Sequence, residues 1–234
     1  MKKVFIPALL IFFCSVFTLT YRSLYAQEEK LWWIGAFGGI DRGKFSYSSG
    51  SARIEANMPE SEWKSRAYFG IESDLGISSK LAIMIRPTYV QKGTYEYSER
   101  TVVIDGKNTD VNTIEDVTLS YFQLAQGVRG VFGKGSLKTS LFFGPTVDFL
   151  LSAKDHITFE GYGDTTVTLT DAEDLALGLM AGTAIGYMFE SGISVLLEAV
   201  YDYSLANVFP DEPYAPSASM RDYRFGLSVF YQIK

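Results

Sequence analysis

Cysteine, histidine and long hydrophobic runs are scarce in this chain of 234 residues. Cys14 is the only cysteine, so an internal disulfide and a metal site built from several cysteines are both excluded. After the N-terminal region the longest uncharged stretch, residues 175–189, has fifteen residues, fewer than the roughly twenty that a transmembrane helix needs. Positive charge is also in deficit, with 21 Lys and Arg against 27 Asp and Glu. Because nucleic-acid binding depends on neutralising phosphates with Lys and Arg, no nucleic acid is expected as a partner.

The start of the chain has the pattern of a secretory signal peptide. A short basic start and a largely apolar stretch over residues 4–19 are followed by Ala26, a small residue that precedes a polar segment. We therefore expect residues 1–26 to be a signal peptide and residues 27–234 to be the mature chain. An uncleaved membrane anchor is the alternative. Lipoprotein processing at Cys14 is disfavoured, because a bulky residue precedes it where that cleavage needs a small one.

Strict alternation marks the C-terminal stretch from residue 220 to the end. Polar residues occupy most of one face, and the other face is apolar: Tyr223, Phe225, Leu227, Val229, Tyr231 and Ile233. A period of two is typical of a β-strand with one apolar and one polar side. At roughly 3.3 Å per residue and a tilt near 40°, Tyr223 and Tyr231 lie about 20 Å apart along a membrane normal. That distance is close to the height of the apolar band, about 25 Å, that aromatic girdles bound in outer-membrane barrels.

Seven further stretches alternate similarly and predict strands over residues 32–47, 64–75, 81–97, 117–132, 137–152, 175–189 and 193–204. Short turns rich in Gly and Ser alternate with long polar loops, which are residues 48–63, 98–116, 153–174 and 205–219. Short turns on one rim and long loops on the other are typical of an outer-membrane barrel, whose short turns lie in the periplasm. An even number of strands then predicts that both termini are periplasmic.

Three of these segments leave alternatives open. Strands 32–47 and 117–132 carry bulky residues on both faces, so their inward faces are ambiguous. Residues 175–189 contain Gly178, Gly182 and Gly186, a spacing that also suits packed transmembrane helices. A strand is favoured because the segment is too short to span as a helix. A column of small inward residues would then leave room for long charged side chains from neighbouring strands.

The sequence thus predicts an all-β fold, an eight-stranded antiparallel transmembrane up-and-down β-barrel, as one outer-membrane barrel domain over residues 27–234. Outward aromatic residues are expected to form a lipid-facing girdle: Tyr89, Tyr187, Tyr201, Tyr203, Tyr223 and Tyr231. Inward charged residues are expected to form an interior charge network: Arg66, Glu72, Arg86, Lys138, Asp148, Glu198, Asp202 and Arg224. Because buried charges are tolerated only when paired, we expect salt bridges that plug the lumen.

Four segments come in a recognisable order: LSYFQL at 119–124, LFFGP at 141–145, LGLMAG at 177–182, and LEAVY at 197–201 leading to SLAN. Together they resemble the PorT-like outer-membrane β-barrel family, with the small-barrel architecture of OmpA and OmpX. The family's fourth strand more usually reads Tyr-Leu-Glu-Ile-Pro, whereas Gln123 stands here at the position of the Glu. The resemblance implies an eight-stranded outer-membrane barrel of mostly unassigned activity. The family's namesake is associated with assembling a protein-secretion system.

The end of the chain also resembles an assembly signal of outer-membrane barrels. Arg224, Gly226, Val229 and Tyr231 have the spacing polar-x-Gly-x-x-hydrophobic-x-hydrophobic, although Lys234 stands where a terminal Phe is common. We therefore expect the barrel-assembly machinery and outer-membrane lipid as partners, in the cell outer membrane of a Gram-negative type of envelope.

No catalytic pair and no cofactor motif stands out. The only histidine, His156, follows Asp155, but adjacent residues of a strand point to opposite faces, so Asp155 is badly placed to orient it. Loop carboxylates could attract divalent cations, although no spacing matches a cation-binding loop: Asp105, Asp110, Glu115, Asp116, Asp164, Asp171, Glu173 and Asp174. We therefore expect no cofactor, and a non-enzymatic barrel whose external loops bind an unknown protein or ligand or whose scaffold supports the envelope. The alternatives are a small-solute channel and a rim enzyme acting on lipid or peptide.

Overall fold

The computed structural model describes residues 32–48, 60–104, 106–170, 172–205 and 217–233. All regular secondary structure in these ranges is β-strand. The strands are β1 (Trp32–Ser48), β2 (Glu60–Gly76), β3 (Leu81–Ile104), β4 (Lys107–Phe132), β5 (Leu137–Phe159), β6 (Gly163–Thr168), β7 (Leu175–Met188), β8 (Ile193–Ser204) and β9 (Ser217–Ile233). The predicted signal peptide and most of the predicted loops 48–63 and 205–219 lie outside the described residues.

Antiparallel pairing closes eight of the strands into a ring. β1 pairs with both β2 and β9, β4 pairs with β5, and β5 pairs with β7. The ring order is therefore β1, β2, β3, β4, β5, β7, β8, β9, while β6 pairs only with β5 among the described strands. The predicted eight-stranded up-and-down barrel is confirmed. Closure removes the sheet edges from the wall, so its backbone groups are paired within it.

The two rims of the barrel differ. Trp32, Ile233 and the short turns after β2, β4 and β7 lie at one rim, the terminal rim. The other ends of the strands form the long-loop rim. There the predicted loops 98–116 and 153–174 are partly wrong, because β3, β4 and β5 continue into them and β6 pairs with the end of β5. The polar outward residues of these segments hide an alternation whose inward members, such as Val111 and Ile157, are buried.

The wall has the opposite polarity to that of a water-soluble protein. Along β9, Phe225 and Leu227 are exposed, whereas Asp222, Arg224 and Ser228 are buried. The other strands likewise expose large apolar side chains over the stretch between the short turns and the level of Tyr223. A continuous exposed apolar band is unfavourable in water, so the wall suits a lipid environment.

The segment 175–189, for which a helix was the alternative, forms strand β7 over Leu175–Met188. Leu179 and Ile185 are exposed on its outward face. A Cβ at Gly182 would overlap the ring of Phe142 on the neighbouring β5. At Gly182 the small inward residue therefore admits an aromatic ring, whereas at Gly178 the charged side chain of Asp202 on β8 lies nearby. In the described ranges, no helical segment has the length and apolar character that spanning a membrane requires.

The outward face of β9 gives a direct test of the strand assignment. Leu227→Arg should lower the free energy of unfolding by about 2–4 kcal/mol, because the cation would lie against lipid near the middle of the band. Ile233→Arg, at the terminal rim of the same face, should cost about 0–1 kcal/mol because its side chain reaches water. Urea unfolding in lipid vesicles, read from the mobility of unboiled protein on a denaturing gel, measures both costs. Equal costs at the two positions would contradict the assignment of Leu227 to the lipid-facing side near the middle of the band.

Candidate functional site

Inward side chains of the ring form two apolar clusters. The cluster nearer the long-loop rim includes Phe45, Leu119 and Tyr121. The cluster nearer the terminal rim includes Met84, Phe142 and Phe230. Charged side chains pack against the aromatic rings of both clusters and also lie between the two clusters. The interior of an eight-stranded barrel is narrow enough for side chains to fill.

Two arginines share three carboxylates in the half of the barrel nearer the terminal rim. Arg86 donates to Glu72 Oε2 at 2.9 Å and to Glu198 Oε2 at 2.7 Å. Arg129 also binds Glu72, and its Nε lies 3.1 Å from Asp74 Oδ2. Arg86 is on β3 and Glu198 on β8, four strands apart in the ring of eight. This ion pair therefore crosses the barrel from wall to wall.

Lys92 of β3 is the centre of a second group of ions, nearer the long-loop rim. Its Nζ lies near three carboxylates: Asp148 at 2.8 Å, Asp222 at 3.0 Å and Asp202 at 3.2 Å. These carboxylates belong to β5, β9 and β8. A single ammonium thus joins four strands, and its side chain is only 2% exposed.

Arg224 of β9 completes this second group. Its guanidinium donates to three oxygens: Asp41 Oδ1 at 2.9 Å, Asp202 Oδ2 at 2.6 Å and Gln123 Oε1 at 2.6 Å. Gln123 in turn donates to Asp202 at 2.6 Å and to Asp148 at 2.7 Å. Since β9 and β4 are also opposite in the ring, the contact between Arg224 and Gln123 crosses the barrel.

Carboxylates outnumber cations among these buried groups. We call the set the interior network: Asp41, Glu72, Asp74, Arg86, Lys92, Gln123, Arg129, Asp148, Glu198, Asp202, Asp222 and Arg224. It holds seven carboxylates and four cations. Consequently some buried carboxylate oxygens have no hydrogen-bond partner among the described protein atoms, including Asp41 Oδ2, Asp74 Oδ1 and Asp202 Oδ1. Each cation is therefore shared by at least two carboxylates.

Six of the eight residues predicted for the interior charge network lie in it: Glu72, Arg86, Asp148, Glu198, Asp202 and Arg224. Arg66 does not. It lies at the register shift between β2 and β3, where its guanidinium binds Asp116 and Thr118 of β4, each at 2.7 Å. Lys138 does not either, because it lies at the second residue of β5, close to the terminal rim and beside a cavity of about 360 Å³.

The sequence interpretation missed six members of the interior network: Asp41, Asp74, Lys92, Gln123, Arg129 and Asp222. A period-two signal was present for several of them. Lys92 follows Arg86 by six residues, and Asp74 follows Glu72 by two, so each pair shares a face of its strand. Asp41 and Arg129 were concealed because β1 and β4 carry bulky residues on both faces.

The six tyrosines of the predicted girdle lie at two levels of the wall. Tyr187 and Tyr231, near the terminal rim, are about half exposed. The other four, Tyr89, Tyr201, Tyr203 and Tyr223, lie toward the long-loop rim. There the rings of Tyr201 and Tyr223 are 5.0 Å apart, and the ring of Tyr89 is 5.1 Å from that of Phe69.

His156 and Asp155 point to opposite sides of the β5 extension. The side chain of His156 is partly exposed and lies 3.0 Å from Thr166 Oγ1 and 3.3 Å from Asp164 Oδ2, both on β6. Asp155 is buried on the inward side. Within the described ranges, no group of three or more His, Cys, Asp or Glu side chains has a geometry suited to a metal ion.

Three carboxylates are buried close together in the strand extensions at the long-loop rim, where a tyrosine and an arginine contact them. We call these five residues the long-loop cluster: Tyr47, Glu96, Arg100, Glu115 and Asp155. Glu96 follows Tyr89 by seven residues, which places it roughly 18 Å above the girdle along a tilted strand. Tyr47 donates a hydrogen bond to Glu96, and Arg100 lies 2.5 Å from Glu115. Asp155 Oδ1 has no hydrogen-bond partner in the described structure.

Burial shifts the pKa of two carboxyl groups of this cluster, those of Glu96 and Asp155, toward neutral pH. Burial raises the pKa of Glu96 to about 7; the Tyr47 hydrogen bond opposes the shift, and the neighbouring carboxylates of Glu115 and Asp155 add to it. Burial and the Glu115 carboxylate likewise raise the pKa of Asp155 to about 6, against the opposing charge of Arg100. The single guanidinium of Arg100 does not balance three ionised carboxylates.

We expect the long-loop extension to lose stability as pH rises. A carboxyl group with a raised pKa in the folded state stabilises that state below its unfolded pKa, and this contribution is lost as pH rises through about 6 to 7. Amide hydrogen exchange of residues 90–120, corrected for intrinsic rates, should therefore show stronger protection at about pH 5 than at about pH 8. Glu96→Gln should remove most of the difference, and Glu99→Gln, an exposed neighbour, should leave it. An unchanged difference in Glu96→Gln would contradict this origin.

The fold is similar to those of several solved outer-membrane proteins. Neisserial surface protein A is 12% identical with a TM-score of 0.48, covering 88% of this chain and 100% of that chain. A major outer membrane protein from Thermus thermophilus is 12% identical with a TM-score of 0.43, at 88% and 100% coverage. The outer membrane protease OmpT from Escherichia coli is 9% identical with a TM-score of 0.40, at 88% and 97% coverage. No curated protein sequence matches the chain.

Family membership rests on a match of the sequence to a family model. The model described as outer membrane protein beta-barrel domain matches residues 25–210, which is well over half of the chain. The match agrees with the closed ring of eight strands and with the apolar outer face of its wall. The chain therefore belongs to the outer membrane protein β-barrel domain family.

Proposed function

We propose that this chain is a non-enzymatic integral outer-membrane barrel whose lumen is closed by the interior network. The observation that carries the proposal is that an ion pair and a charge-assisted hydrogen bond cross the barrel. Arg86 joins β3 to Glu198 on β8, and Arg224 joins β9 to Gln123 on β4. Because these contacts run between opposite walls at two levels, a solute would have to break them to pass.

Aromatic rings support the same conclusion. The Arg86 guanidinium lies 3.6 Å from the centroid of Phe37 and 5.6 Å from that of Phe142. The Arg129 guanidinium lies 4.7 Å from the centroid of Phe142. Stacking of a guanidinium on a ring stabilises both groups where water is excluded. The arginines are thus held by rings as well as by carboxylates, which favours a fixed plug.

The proposed orientation puts the terminal rim and both chain termini in the periplasm and the long-loop rim outside the cell. Short periplasmic turns and longer external segments are the rule for bacterial outer-membrane barrels. The barrel-assembly machinery, acting on the C-terminal strand, belongs to this proposal, as does a place in the PorT-like family. A role in secretion does not, because fold alone carries no function.

The external extensions are the proposed region for binding a partner or ligand. β6 is exposed along its whole length and, among the described strands, pairs only with β5. An edge strand of this kind offers unpaired backbone groups to an added strand. This observation favours recognition of an extended peptide segment over recognition of a small solute.

A cation-selective channel is the second candidate. It is favoured by the excess of carboxylates in the interior network, since a lumen with net negative charge attracts cations. A rim enzyme acting on lipid or peptide is the least supported of the candidate functions. Its test is His156→Ala, which should abolish any activity on lipid or peptide that depends on this residue.

Planar-bilayer recording separates the plugged barrel from the channel. Because ion pairs and rings occupy the lumen, the purified protein should show no steady conductance, while a porin reconstituted in the same bilayer provides the positive control. Steady cation-selective conductance from the wild-type barrel would overturn the plug and favour the channel.

The shortage of cations predicts an asymmetry between charge substitutions in the interior network. Arg224→Gln should lower the free energy of unfolding by about 3–5 kcal/mol, because Asp41 and Asp202 lose the cation that they share. Glu198→Gln should cost less, because Arg86 keeps Glu72 as a partner. Lys138→Gln is the matched control, outside the network, and should cost no more than about 0.5 kcal/mol.

Urea unfolding in lipid vesicles measures the three variants side by side. An equal cost for Arg224→Gln and Lys138→Gln would mean that the network adds no stability. A larger cost for Glu198→Gln than for Arg224→Gln would mean that cations are not the limiting partners.

A further inference from the structure

Three cations lie side by side on the outward face of the wall, at and just above the aromatic girdle of the long-loop rim. Arg42 and Lys44 belong to β1 and Arg221 to β9. In the register of these strands Arg42 pairs with Tyr223, and Lys44 pairs directly with Arg221. Arg42 and Arg221 are exposed, and Lys44 is partly exposed. Two like charges in adjacent paired positions repel each other, so an anion bound between them would be stabilising.

The described partners of Lys44 and Arg221 are aromatic rings rather than carboxylates. Lys44 Nζ lies 5.4 Å from the ring centroid of Trp63, and the Arg221 guanidinium lies 5.8 Å from that of Tyr203. In the part of the chain that the structure describes, no carboxylate forms an ion pair with any of the three. Ring contacts orient a cation without neutralising it. Among the described residues, their charge is therefore not neutralised and could be met by a ligand.

An apolar groove begins beside Arg221 and runs over the outer wall. Its volume is about 700 Å³, and Tyr201 and Tyr203 line the end next to Arg221. Further along, the lining residues are Leu179, Ala181, Phe143 and Pro145. The small side chain of Ala181 between the larger neighbours of β5 and β8 makes the depression.

Strand pairing connects the cations to the groove. One row of paired residues runs from Lys44 through Arg221, Tyr203 and Leu179 to Pro145. Because strands of a closed barrel are tilted, such a row runs obliquely across the wall. It leads from the cations at the long-loop rim, through Tyr203, into apolar surface within the band. The cations followed by apolar surface complement a lipid whose anionic headgroup is followed by acyl chains.

We propose that this surface is a binding site for a phosphorylated lipid of the outer leaflet, with a phosphate held by Arg42, Lys44 and Arg221 and an acyl chain in the groove. The proposal rests on the orientation that puts the long-loop rim outside. Arg suits phosphate because its donors reach two oxygens at once, and Lys adds a point charge. The level of the cations, just above the tyrosines, is that of lipid headgroups.

Native mass spectrometry of the mature barrel in detergent, after removal of endogenous lipid, tests the site. The probes are lipid A, its dephosphorylated form, and inorganic phosphate. We expect the wild-type barrel to retain one lipid A, and the dephosphorylated form to bind about tenfold or more weakly, because charge-assisted hydrogen bonds are lost. Inorganic phosphate should compete only weakly, because it has no acyl chain for the groove.

Substitutions then separate the headgroup contacts from the groove. Arg221→Gln should weaken lipid A binding about tenfold, and the triple variant with Arg42→Gln and Lys44→Gln should weaken it further. Ala181→Trp, which fills the groove without changing charge, should weaken it as well. Lys134→Gln, the same loss of charge in the turn after β4, is the control and should bind as wild type does. Heat-dependent gel mobility establishes that each variant is folded.

Several results would overturn the proposal. Equal binding of the dephosphorylated lipid, or unchanged binding by both Arg221→Gln and the triple variant, would exclude the phosphate contacts. Strong competition by inorganic phosphate would indicate a site for free phosphate instead. A groove covered by a second copy of the chain would appear as a dimer that lipid A does not dissociate. The plugged lumen is tested separately, by conductance. A conducting barrel would overturn the plug but not the lipid site, and a failure of lipid binding would not overturn the plug.

Discussion

Backbone hydrogen bonding in lipid is the constraint on which the rest of this structure depends. A bilayer core offers no donors or acceptors, so a spanning sheet must close on itself, and β1 therefore pairs with β9 as well as with β2. Closure fixes one side of every strand toward lipid and the other toward a narrow interior. Within the apolar band the outward residues are therefore apolar, and the polar residues of that part of the wall lie inside. The interior network is a consequence of closure, because inward positions have no bulk water to solvate them.

The interior network works with fewer cations than carboxylates, which explains its connectivity. Lys92 is shared by three carboxylates and Arg224 by two carboxylates and an amide oxygen. A buried charge is tolerated when several partners reach it, and a centre with three partners also fixes the distances among the strands that carry them. The cations of β3 and β9 therefore link opposite walls of the barrel and hold them at a fixed distance. The Phe37 and Tyr68 rings, 6.0 Å apart, lie beside Arg86 and Arg224 and keep water from them.

The period of two predicted the fold because it follows directly from strand geometry. It predicted the number of ring strands, the outward face of β9 and most of the inward charges on β8 and β9. It failed where geometry departs from a regular strand. Arg66 lies at a register shift, which redirects its side chain to Asp116, and no local pattern marks that shift. The extensions of β3 and β4 were missed because their outward residues face water, and so their apolar and polar faces are not distinct. The distances that join Lys92 to Asp148 depend on the whole ring.

Opposite charges that are neighbours in the sequence are separated by the wall. Asp41 points into the interior network while Arg42 is exposed outside, and Asp222 is buried while Arg221 is exposed. A slip of one residue in the register of β1 or of β9 would reverse the two faces of that strand and so exchange the pair of charges that it carries. Carboxylates would then face the lipid surface, and the interior would gain cations in place of the acids that Lys92 and Arg224 bind. Register is thus specified from both sides of the wall at once. The same alternation that gives Arg224 its partners leaves Arg42, Lys44 and Arg221 on the outer side of the wall, beside the groove proposed to bind an anionic lipid.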